Sequence, residues 1–118
     1  MASGRPVNPE WNKLFFQGLS SMPAKLSPSE IEQALAGLSH WRVEDGKLHR
    51  ELTFPDFISA FGFMTVAALL AESRGHHPDW FNHYNVVRIW LVTNSLGGIS
   101  DLDVELAARI EEAYEKFK

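Results

Sequence analysis

Apolar positions recur along the chain with two different periods. Ser27-Pro28-Ser29-Glu30 is a capping-box pattern with proline at the first helical position. Ile31, Ala34, Leu35 and Leu38 follow at helical spacing, which predicts a helix over residues 28–38. The period then falls to two. Trp41 and Val43 alternate with polar neighbours, and Asp45-Gly46 is a tight hairpin turn. Leu48, Arg50, Leu52 and Phe54 then share one strand face, with His49, Glu51 and Thr53 on the other. Pro55 opens a second helix, whose expected stripe is Phe57, Phe61, Met64 and Ala68, with Ala60, Ala67 and Leu69 beside it. Arg74-Gly75 closes that helix, with Gly75 as a left-handed cap.

A third strand is predicted at about 79–84, placing Trp80 and Tyr84 on one face. In the fourth, Val87, Ile89 and Leu91 alternate with Arg88, Trp90 and Val92. Gly97-Gly98 breaks the chain, and Ser100-Asp101-Leu102-Asp103 caps a last helix. Its buried stripe is Leu106, Ile110, Ala113, Tyr114 and Phe117. The order αββαββα predicts an α+β fold: a four-stranded antiparallel sheet with three helices on one face.

Residues 1–25 lack any such period and are rich in turn residues, around an apolar cluster of Trp11, Leu14, Phe15 and Phe16. They read as a flexible arm or tag remnant, or else as a segment that docks its aromatics. Residues 26–118 form the domain. At 118 residues a single domain with its own core is expected. The net charge of −4 without a basic block argues against nucleic acid and anionic membranes as partners. No apolar run approaches the roughly 18 residues of a membrane span. The chain has no cysteine, which removes disulfides, thiolate zinc sites and a cysteine nucleophile, and a cytoplasmic setting is expected.

Candidate chemistry concentrates in Glu72, His76, His77, Asp79 and Trp80, where the second helix gives way to a strand. Histidine exchanges protons near neutral pH. Glu72 precedes His76 by four residues, and a carboxylate there would orient that imidazole and raise its pKa. Adjacent strand residues point to opposite faces, so the pair is not read as a metal site. The plain alternative is a solvated histidine pair at a helix end. Asp103 is fully accounted for by capping, and Trp80 and Tyr84 are core residues or a stacking platform. Trp90 lies on the open sheet face with Val86 and Val92. That face calls for a cover, first a second copy and then a different partner.

Ala60-Phe61-Gly62-Phe63-Met64, then Glu72-x-x-x-His76-His77-Pro78-Asp79-Trp80-Phe81-Asn82-x-Tyr84-Asn85-x-Val87, then Gly98-Ile99-Ser100-x-x-Asp103 and Leu106-Ala107, resemble the pterin-4a-carbinolamine dehydratase family. The likeness covers roughly residues 26–117. It implies the same αββαββα fold, with dimers joined through sheet edges and sometimes paired into tetramers. The implied reaction removes water from 4a-hydroxytetrahydrobiopterin or a similar pterin, giving the quinonoid dihydropterin. No metal or organic cofactor is implied; the pterin is the substrate. By the same resemblance His76 is a catalytic acid–base group, and His77 binds the pterin with some catalytic weight. Glu72 orients the pair, and Trp80 walls the pocket. Asp79 belongs to the substrate-binding set, and Asp103 orients a third histidine or the pterin. That third histidine is replaced by Asn94, which can hydrogen-bond a pterin edge but cannot exchange a proton near neutral pH. Dehydratase-like relatives also act as a dimerisation cofactor of a transcription factor and as Rubisco assembly factors, which implies a binding role as the alternative.

Overall fold

Ser27 begins the first helix for the reason its sequence predicts. Its side chain accepts from the Glu30 N–H while Glu30 accepts from the Ser27 N–H, so two helix-end donors are satisfied. A computed structural model describes residues 22–118. The expected Trp11, Leu14, Phe15 and Phe16 cluster lies outside the described residues. The elements are α1 (Pro28–Ala36), β1 (Arg42–Glu44), β2 (Lys47–Thr53), α2 (Phe57–Ser73), β3 (Asp79–His83), β4 (Val86–Leu91), a short 3₁₀ turn (Asn94–Leu96) and α3 (Asp101–Tyr114). The first helix stops two residues before the expected Leu38, which is buried beyond its end.

The four strands pair antiparallel in the order β1-β2-β4-β3, an α+β arrangement as expected. Asp45 and Gly46 both take positive φ, as a tight hairpin between twisted strands requires. Leu48, Leu52, Val87, Ile89 and Leu91 turn one sheet face into the core. On α3 the buried positions are Asp103, Glu105, Leu106, Ala107, Ile110 and Ala113, so two carboxylates enter the stripe. Tyr114 and Phe117 pack at its edge. Arg50 and the Trp41 indole both reach Glu111, at 2.6 and 2.7 Å, and fasten the sheet to α3.

Three sequence expectations change. The buried stripe of α2 is Ala60, Phe63, Ala67 and Ala71, whereas Phe57, Phe61, Ala68 and Leu69 are exposed. This helix is apolar nearly all round, so periodicity cannot choose its inner face; the alanines allow close packing there. Tyr84 is in the β3–β4 turn with φ 52°, exposed, and so does not stand beside Trp80 on a strand face. Trp90 does lie on the sheet face opposite the core, but it is covered in part within the chain. It stacks on the buried His49 ring at 4.6 Å and donates to Glu44 at 2.9 Å.

Candidate active site

The C-terminus of α2 places the histidines. Gly75 takes φ 62°, and its N–H donates to the Glu72 carbonyl while the His76 N–H donates to the Ala71 carbonyl. These paired bonds close the helix and reverse the chain, a turn that glycine enters without steric penalty. The reversal carries His76 off the helix axis and across to the N-terminus of α3. There its Nε2 lies 2.5 Å from Asp103 Oδ1.

Asp103 is wholly buried. Its Oδ2 accepts from the Ser100 N–H at 2.9 Å and from the Thr93 hydroxyl at 2.8 Å, and Thr93 and Ser100 share a 2.6 Å hydroxyl contact. Capping therefore occupies one oxygen and leaves the other for the imidazole. The two helix ends suit this pair, because a C-terminus favours a cation and an N-terminus an anion. His76 titrates above the ordinary imidazole range. The hydrogen bond to Asp103 is the main cause; burial opposes it, and the charges of Asp103 and Glu105 add to it.

The expected Glu72–His76 pairing is replaced by another. Glu72 Oε1 meets His77 Nε2 at 2.8 Å, because the glycine turn takes His76 away and brings His77 back over the last helical turn. The His76 side chain is only 12% exposed, whereas those of His77 and Glu72 are 62% and 78% exposed. One imidazole is thus fixed in a buried network and its neighbour stands open to a ligand.

Trp80 pairs with Ile89 in register and packs against the core, so it lies on the helix-covered side. Asp79 does not join the cluster. It pairs in register with Trp90 on the open face and contacts Lys47 at 3.4 Å, because adjacent strand residues face opposite ways. Asn94 is exposed at the start of the 3₁₀ turn, next in sequence to Thr93. Sequence reasoning missed Thr93 and Ser100 as holders of Asp103. Adjacency to Asn94 and the helix-cap position were the available signals. A groove of about 290 Å³ between α2 and α3, lined by Val66, Leu70 and Phe117 among others, includes none of these residues.

The family model described as pterin 4 alpha carbinolamine dehydratase matches residues 24–113. The chain belongs to the pterin-4a-carbinolamine dehydratase family. A Solibacter usitatus protein provisionally named pterin-4-alpha-carbinolamine dehydratase is 57% identical over 90 residues, covering 76% of this chain and 95% of that protein. A Synechococcus protein with the same provisional name is 53% identical over 76% of this chain and 97% of its own length. The crystal structure of a transcriptional coactivator/pterin dehydratase from Brucella melitensis superposes with a TM-score of 0.74 and 42% identity, over 77% of this chain and 99% of that one. A pterin dehydratase-like protein identified as a RuBisCO assembly factor in the alpha-carboxysome matches at TM-score 0.53 and 23% identity, over 63% of this chain and 86% of that one, a likeness of fold alone. Within this dehydratase-family chain, His76 pairs with Asp103 and His77 with Glu72 at the end of α2 and the start of α3, Trp80 stands on the core side of β3, and Asp79 faces the other way.

Proposed function

We propose that the protein dehydrates a 4a-hydroxytetrahydropterin to the quinonoid dihydropterin by histidine acid–base catalysis. The observation that carries this reading is the buried Asp103–His76 pair beside the open Glu72–His77 pair. The reaction breaks the C4a–O bond and forms a C4a=N5 double bond, so one proton must reach the hydroxyl and one must leave N5. Asp103 engages Nε2 of His76, so the proton for the departing hydroxyl comes from Nδ1, and the oxygen leaves as water. The N5 proton passes to an unprotonated His77, held by Glu72, and then to solvent. Trp80 walls the pterin, and Asn94 binds its edge. These steps are proton transfers only, and this reading calls on no metal or organic cofactor. A homodimer or homotetramer in the cytoplasm belongs to the same proposal.

The test is the dehydration of a synthetic 4a-hydroxytetrahydropterin followed against its spontaneous rate. The protein accelerates it, and His76→Ala removes on the order of a hundredfold of the rate. A folded wild-type protein no faster than the uncatalysed reaction ends the proposal.

A second reading, a protein-binding role on this scaffold, is favoured by the exposed Phe57, Ile58, Phe61 and Leu69 on α2 together with Asn94 at the third histidine position. Co-purification of a specific partner that Phe61→Asp abolishes supports it; no partner above the Phe61→Asp control removes it.

A further inference from the structure

Glu105 is a buried carboxylate that the proposed reaction does not use. Its side chain is 1% exposed, and its Oε2 meets Arg74 at 2.8 Å and Arg109 at 2.9 Å. Arg74 caps α2 two residues before His76, and Glu105 follows Asp103 by two residues on α3. Two ionic struts therefore cross the same seam in parallel, Arg74–Glu105 and His76–Asp103. An exposed surface pair would hold little. A buried carboxylate stripped of its cation, by contrast, would be strongly unfavourable, so this strut holds the α2 end against α3.

The geometry points to Glu105 as an electrostatic support for His76: beside the His76–Asp103 pair it sets a second buried negative charge from α3 at the same seam, which favours the protonated imidazole. This rests on the dehydratase reading only for its catalytic consequence. The charges acting on His76 are Asp103 and Glu105, both from α3; Arg74 from the end of α2 and Arg109 pair with Glu105, and Glu112 stands beside it. Burial pushes Glu105 up from the ordinary carboxylate range, opposed by Arg109 and Arg74. The guanidiniums thus do not fully offset its isolation from water.

The experiment is an NMR titration of the His76 imidazole in the full chain, paired with the dehydration assay. Glu105→Gln keeps the shape and removes the charge, leaving two arginines near the seam; the His76 midpoint falls. Arg74→Met removes one cation and leaves Glu105 less compensated, so the midpoint rises, while Arg74→Lys stays near wild type. Loosened packing alone would move both variants in the same direction. Opposite shifts therefore establish the role, and shifts of one sign, or none, overturn it. If Glu105→Gln does not fold, Arg74→Met decides alone: a rise supports the role, and a fall or no change refutes it. The titration needs no turnover, so an inactive wild type that still shows opposite shifts sinks only the dehydratase reading.

Discussion

Asp103 divides its two carboxylate oxygens, giving Oδ2 to the start of its own helix and Oδ1 to His76. The same group that starts α3 thereby anchors the imidazole. Asp103→Asn keeps the volume and removes the charge. We expect about 1–3 kcal/mol of lost stability in urea unfolding, because the site is buried and its hydrogen bonds are to a charged group. The His76 midpoint should fall towards the ordinary range. An unchanged midpoint in the folded variant would show that Asp103 does not hold the ring.

The raised titration of His76 has a defined consequence for stability. A histidine that binds its proton more tightly when folded contributes that stability in full below its unfolded value, about 6.5, and loses it as pH rises through the higher folded value. The stability difference between wild type and His76→Gln should therefore shrink as pH is raised from about 6.5 upward. A difference that grows with pH over that range would reverse the assigned sign.

Gly75 lies at φ 62°, and an added Cβ would meet nothing within 4 Å, so a side chain there is opposed by backbone conformation alone. Gly75→Ala should cost about 1 kcal/mol and loosen the His76–Asp103 contact. Thermal unfolding with the His76 midpoint checks both. A variant as stable as wild type would mean the left-handed turn is not required.

Asn94 is exposed and begins the 3₁₀ turn, so a larger ring is accommodated there. Asn94→His restores a proton-exchanging group at the position where the family resemblance places one, and should raise the dehydration rate by about tenfold or more. Equal rates would show that the two histidines at 76 and 77 already supply the needed proton transfers.

The open sheet face shows where reading by pattern stops. Alternation in β4 correctly separated Trp90 from Val87, Ile89 and Leu91, yet it could not show that His49 and Glu44, from two other strands, would supply its stacking and hydrogen-bond partners. Pairing across strands depends on register, and register depends on the whole sheet.

Local signals alone determined the elements: the capping boxes at Ser27 and Ser100, the Asp45-Gly46 turn, the Gly75 stop and the alternation of Leu48 with His49 each depend on residues close in sequence. The motif from Glu72 to Trp80 likewise marked candidate acid–base residues, of which Asp79 faces the other side of the sheet. Tertiary structure decided which face of the apolar α2 is buried, that Glu72 serves His77, that Asp103 serves His76, and that Arg74 meets Glu105. The reason is physical. Helix caps and turns satisfy backbone groups within a few residues, whereas partners such as His76 and Asp103, 27 positions apart, meet only once two helices have packed.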